Sequence, residues 1–217
     1  MKNLLIKEVR LASSPLSYIF LAAAFMTMLP GYPILVSAFF ICFGIFHSFQ
    51  NAREANDTLY SVLLPVGKSG FVKAKYTFTC IIQMSGFIIC SVLTAVRMTA
   101  LSDAKPYVSN ALMNATPVFL AFVLLIFAAF NLLFLGGFFR TAYKIGIPFL
   151  SFGISVFLIV AAAEIMPHLP GLEYLHSPAG EKLSVQFTAL ALSALIYCAV
   201  TVLSYIKSVR RFEMIDL

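Results

Sequence analysis

Gly67-Lys68-Ser69 reproduces the end of a phosphate-binding loop, in which backbone amides, a lysine and a hydroxyl would cradle nucleotide phosphates and magnesium. That loop also needs a glycine five positions before Gly67, where this chain has Val62. It needs a strand before it and a helix after it, and neither is expected here. The chain is therefore not expected to hydrolyse ATP. Cys42, Cys80, Cys90 and Cys198 fall inside apolar runs, with no CxxC pair and no histidine at a ligand spacing, which reads as buried packing. His47, His168 and His176 are too scattered to form a site. No serine-histidine-acid or paired-carboxylate pattern occurs, so no catalytic residue and no metal ligand is assigned.

What remains is polar chemistry in apolar company. Gln83 and Asn131 interrupt long apolar runs, where an amide either hydrogen-bonds across helices or touches a substrate on a translocation path. Glu164 stands near the end of a third run, either guarding an exit or reaching to the interface. A denser set lies in 51–76, NAREANDTLYSVLLPVGKSGFVKAKY, with Asn51, Arg53, Glu54, Asn56 and Asp57 early and Lys68, Lys73 and Lys75 late.

The elements that position these groups are apolar helices. With 61% hydrophobic residues, 11% charged and a mean hydropathy of +0.95, the chain departs from soluble proteins, in which roughly a quarter of residues are charged. Apolar segments at 15–29, 34–50, 77–97, 116–139, 145–166 and 183–206 predict a single all-α integral membrane domain over 1–217 with six transmembrane helices. Pro30-Gly31-Tyr32-Pro33 turns the first two into a tight hairpin. Residues 1–14 mix Leu4, Leu5, Val9 and Leu11 with Lys2, Lys7, Glu8 and Arg10, an amphipathic helix expected to lie on the inner surface and to be retained. The 22 phenylalanines and 8 methionines either line an adaptable path or fill lipid-facing surface.

Six crossings put both termini on one side. That side holds Lys2, Lys7, Arg10, Arg53, Lys68, Lys73, Lys75, Arg140, Lys144, Lys207, Arg210 and Arg211, leaving Arg97, Lys105 and Lys182 on the other. The excess of basic residues makes the first side cytoplasmic. Because the formal charge of +6 sits at segment ends and sets topology, no nucleic-acid partner is expected.

Within 51–76, Leu59, Val62 and Leu63 recur at helical spacing behind Arg53, Glu54 and Asp57, which predicts a short amphipathic helix with an acidic start. Leu64 should leave it before Pro65, Gly67 and Gly70 permit a turn, and 72–76 re-enters the membrane with Lys73 and Lys75 at the headgroups. The pattern Glu54, Asn56, Asp57, Leu64-Pro65-Val66, Lys68, Val72, Lys75, Tyr76 resembles the small type-2 permease subunits of bacterial ABC exporters. So do the six-segment layout across the 217 residues and the opening MKNLLIKE. More narrowly, the chain is similar to permeases that export phenol-soluble modulins, which are amphipathic helical peptides. Val66-Gly67-Lys68 departs from the pattern, since many relatives carry Ser or Thr followed by Arg, and this bears on the fit to a particular ATPase.

The resemblance implies a half-transporter in the bacterial cell membrane, both termini cytoplasmic. Two permease subunits, identical or different, would pair with two separate ABC ATPase subunits that hold ATP and magnesium, this chain binding no cofactor. The helix between segments 2 and 3 would be a coupling helix seated in a groove of the ATPase. Arg53, Glu54 and Asp57 would make its polar contacts and Leu59, Tyr60 and Leu63 its apolar ones. The peptide would leave through the dimer interface. The alternative from another class is a membrane immunity or sensor subunit that transports nothing.

Overall fold

The computed structural model describes residues 2–63, 67–102, 104–108, 110, 112–175 and 182–215, the side chains at 2, 62, 63 and 173 excepted. The chain is all-α, 82% helix, with no strand among the described residues. In order the helices are α1 (Asn3–Ala12), α2 (Pro15–Met28), α3 (Val36–Glu54), α4 (Asp57–Leu63) and α5 (Lys68–Thr99). There follow the short α6 (Lys105–Val108), then α7 (Pro117–Phe138), α8 (Gly146–His168) and α9 (Leu183–Glu213).

Starts are set by local chemistry. Ser14 and Thr116 cap α2 and α7, their side chains accepting from the backbone N–H groups of Leu16 and Phe119. Each cap is followed by a proline at the first helical position, where the missing N–H leaves no bond unmade. At the end of α3 no proline or glycine interrupts 51–54, so the helix runs through Glu54 and turns at Asn56, whose φ of 50° suits asparagine better than most residues. The long polar stretch read from the sequence is thus divided. Its first four residues finish α3, and α5 opens at Lys68, so the free element is α4 alone. A helix does follow Gly67, contrary to expectation, although no strand precedes it among the described residues. Leu64, Pro65 and Val66 lie outside the described residues.

Among the described residues four helices, α5, α7, α8 and α9, are long and apolar enough to cross a membrane. A fifth span results if α1 and α2, bent by 93° to each other, are taken as one broken unit. The expected six is not reached on length and composition. Helix α3 ends in Gln50, Asn51, Arg53 and Glu54, which lower its hydropathy, and α2 by itself is short. These two nevertheless form the expected hairpin. Ser14 N–H donates to Ser48 Oγ at 2.8 Å, Ser17 Oγ donates to the Gly44 carbonyl at 2.6 Å, and the Phe20 and Phe40 rings stack. As the α2 number rises the α3 number falls, which is antiparallel pairing.

Helix α7 is the hub. In its most apolar stretch 72% of residues are buried, against 17% in α8 and in α9. Around it packs an aromatic core rather than a lipid-facing coat: Phe49, Phe130, Phe134 and Phe152 are fully buried, and the Phe46 and Phe149 ring centroids lie 4.1 Å apart. Of the cysteines, Cys42 and Cys90 are buried as expected. Cys80 is half-buried and Cys198 is exposed on the outer face of α9, where a small apolar side chain can equally meet lipid.

Candidate functional site

One end of the bundle gathers α1, α4, the start of α5, the 140–144 turn and the end of α9. Lys68 Nζ donates to the Ile215 carbonyl at 2.5 Å, which brings the α9 end to the α5 start. The pocket beside α4 is lined by Arg53, Thr58, Leu59, Ala142 and Tyr143, which brings in the 140–144 turn. Both ends of the described chain therefore lie at the same end of the molecule.

Four charged groups meet there. Lys75 Nζ lies 2.6 Å from Glu8 Oε2 and 3.3 Å from Asp57 Oδ2, while Lys7 Nζ pairs with Asp57 Oδ1 and lies 3.8 Å from Glu8 Oε1. Lys7 also donates to Ser61 Oγ, and Ser61 Oγ donates to the Asp57 carbonyl. Two cations face two anions, so the cluster is neutral. Glu8 and Lys75 are each about 2% exposed, and charges so buried persist only when paired. Phenylalanine rings close the cluster, Lys75 Nζ lying 5.5 Å from the centroids of both Phe49 and Phe71. Burial raises the Asp57 carboxyl, but Lys75 and Lys7 prevail and hold it below the ordinary aspartate value.

The cluster joins three elements distant in sequence. Glu8 and Lys7 come from α1, Asp57 and Ser61 from α4, and Lys75 from α5. At Glu8 helix α1 loosens into a wider π-helical turn, Glu8–Ala12, a feature frequent at functional positions. The buried face of α1 carries Leu4, Glu8 and Ala12, leaving Ile6, Val9, Arg10 and Leu11 outside. Of the residues named from the sequence, Asp57 turns inward to the two lysines. Tyr60 and Leu59 are exposed at 66% and 48%. Glu54 is exposed with Gln50 donating to it at 3.3 Å, and the Arg53 guanidinium stands 5.7 Å from the Tyr143 ring centroid. Leu63 belongs to α4, but its side chain is outside the described set.

The sequence reading missed Lys7, Glu8 and Ser61, and took Lys75 for a headgroup residue. The signal was present in the spacing of Leu4, Glu8 and Ala12, which sets a carboxylate on the face of α1 that must be buried.

A second polar group lies within the bundle. Gln83 Nε2 donates to Asn131 Oδ1 at 3.0 Å, Asn131 Nδ2 donates to Gln83 Oε1 at 3.1 Å and to Thr201 Oγ1 at 2.9 Å, and Tyr197 OH donates to Gln83 Oε1 at 2.9 Å. Asn131 sits in another π-helical turn, Phe130–Leu135, and its carbonyl accepts from Ser204 Oγ at 2.6 Å. Both amides are fully buried within the chain and their donors and acceptors are occupied. This layer fastens α5, α7 and α9 to one another. At the opposite end Glu164 Oε2 accepts from Met113 N–H at 2.7 Å, and Arg97 donates to the Thr27 carbonyl at 2.7 Å and to Asn114 Oδ1 at 3.0 Å.

The model of the family described as ABC-2 family transporter protein matches residues 3–213. The chain belongs to the ABC-2 transporter family. No curated protein and no solved structure matches it. As an ABC-2 permease it is a multi-pass membrane component of a transporter, with ABC ATPases and the bilayer as its partners. The charged cluster and the exposed face of α4 are therefore features of an ABC-2 permease, at the end where both ends of the described chain lie.

Proposed function

We propose that this permease is the membrane half of an ATP-driven exporter in a bacterial cell membrane, its termini cytoplasmic, and that α4 receives the motion of the partner ATPase. What carries the reading is the ion cluster. A displacement of α4 acts on Asp57 and, through Lys7 and Lys75, on α1 and α5 together, so one contact moves three elements. Leu59, Tyr60 and Glu54 form the face the ATPase meets, with Arg53 beside them on Tyr143. Asp57 serves as the joint behind that face.

The substrate is a hydrophobic or amphipathic peptide of the phenol-soluble modulin kind, moved between two permease subunits, with ATP and magnesium held by the ATPase. Support for an amphipathic cargo lies in the similarity of the chain as a whole to permeases that export phenol-soluble modulins. Gln83 and Asn131 act as fasteners within each subunit, since their side-chain polar atoms are engaged by other parts of the chain, and Glu164 does so through Oε2, which accepts from Met113 N–H. The test is uptake of a labelled amphipathic helical peptide into inside-out vesicles containing the permease and its ATPase. ATP-dependent accumulation is expected. Accumulation that is the same without ATP, or absent with it, would contradict export.

A further inference from the structure

Beside the α4 end, α7 and α8 enclose a cavity of about 370 Å³ lined by Gly137, Arg140, Thr141, Lys144, Pro148 and Ser151. Arg140 and Lys144 are exposed, and neither side-chain head takes part in an ion pair or hydrogen bond among the described residues. The first turn of α8, whose leading N–H groups lack intrahelical partners, also borders this cavity through Ile147 and Pro148. The local potential is positive and unanswered. Close approach of α7 to α8 shapes the floor, because a Cβ at Gly137 would come within 2.9 Å of the Pro148 ring.

One helical turn deeper the chemistry changes. An apolar groove of about 390 Å³ lies between the same helices and α9, lined by Leu125, Ala129, Leu132, Ser155, Leu158 and Ile196. From Leu133 at the cavity to Leu125 in the groove, α7 rises about 12 Å. That is close to half of the roughly 30 Å hydrocarbon core. A cationic mouth at one end and an apolar channel one leaflet deep match an ion with a tail.

We propose that this is a binding site for an anionic phospholipid. Its phosphate lies between Arg140, Thr141 and Lys144, and one acyl chain runs along the groove past Leu132 and Ala129. Arg140 offers a fork of donors and Lys144 a point charge, a pair suited to phosphate oxygens. The lipid holds α7 to α8 at the end where α4 lies, so the composition of that leaflet bears on the position of the 140–144 turn against α4.

The test is native mass spectrometry of the full-length permease purified from mixed phosphatidylglycerol and phosphatidylcholine, with thermal unfolding in each lipid alone. Two cations near the headgroups correspond to roughly thirtyfold enrichment of the anionic lipid. Arg140→Gln with Lys144→Gln abolishes it, whereas Arg140→Lys keeps most of it. Ala129→Phe, which fills the groove without altering charge, lowers retention while the protein remains folded. Equal retention of both lipids by wild type, or undiminished enrichment in the double variant, would overturn the proposal. It would also fail if inorganic phosphate alone gave the thermal shift of phosphatidylglycerol, since the groove would then hold no tail. A dimer that Ala129→Phe dissociates would assign the groove to a second copy, and enrichment appearing only with the ATPase bound would assign the cations to that protein.

Discussion

Two of the buried polar assemblies among the described residues are built differently. The amide layer of Gln83, Asn131, Tyr197 and Thr201 is neutral, joins three long helices within the bundle and leaves no amide group of Gln83 or Asn131 unmatched. The cluster of Lys7, Glu8, Asp57 and Lys75 is charged and joins a seven-residue helix to α1 and α5. It also leaves Glu8 Oε1 and Asp57 Oδ2 without a hydrogen bond. Each has a π-helical turn at its centre, Glu8–Ala12 in one and Phe130–Leu135 in the other. The two designs differ in how far they can give. A saturated neutral layer has one arrangement and fixes the bundle, whereas ion pairs with alternative oxygens tolerate small shifts of α4 while staying paired.

If that contrast holds, removing one member should be far more damaging in the charged cluster. Lys75→Met strips Glu8 of its closest partner and Asp57 of one of its two, and should cost about 3 to 5 kcal/mol, read as a lowered unfolding midpoint in detergent. A cost near that of an amide deletion would erase the distinction. Next in size is Gly44→Ala in the α2–α3 hairpin. A Cβ there would lie 2.9 Å from Phe20 Cβ, 3.0 Å from the Leu16 carbonyl and 3.1 Å from Ser17 Cα. These are backbone or near-backbone atoms, so about 1 to 3 kcal/mol of overpacking is expected. Gly86→Ala should cost less, because the atom it meets, Ile41 Cδ1 at 2.6 Å, is the end of a flexible side chain.

In the amide layer, Gln83→Leu and Asn131→Leu should show a coupling energy of about 1 kcal/mol in a double-mutant cycle. The smallest effect separates the two assemblies by pH. Because the Asp57 carboxyl is held below its ordinary value, its stabilising contribution is complete above about pH 4 and is lost as pH falls through the lower folded value. Wild type should therefore lose more stability on acidification than Asp57→Asn, and Asn131→Leu should follow wild type. Identical acid profiles for wild type and Asp57→Asn would remove the electrostatic account of the joint.

Much of this was legible in the sequence. The all-α class, the hairpin at Pro30-Gly31-Tyr32-Pro33, the short helix behind Asp57 and the family resemblance all came from apolar runs, breakers and one motif. Periodicity could not show that α3 runs on through Glu54 or that α5 begins at Lys68, because charged residues at a membrane boundary fit a helix as well as a loop. Nor could it pair Glu8 with Lys75, since the partners are 67 positions apart and only the folded chain brings α1 against α5. The phenylalanines illustrate the same gap: their abundance is plain in the sequence, but whether Phe134 meets lipid or Phe49 is decided by packing, which puts the two ring centroids 5.2 Å apart.

The central claim is that the exposed face of α4 is where the ATPase engages. Its most direct test is affinity purification of tagged permease from host membranes in mild detergent, with quantification of the co-purifying ABC ATPase. Wild type is compared with Leu59→Ser/Tyr60→Ser, a pair that leaves the ion cluster untouched. The account predicts an ATPase in complex with wild type and its loss, about tenfold or more, from the variant, at unchanged permease yield and unfolding midpoint. Equal recovery of the ATPase with both would contradict it.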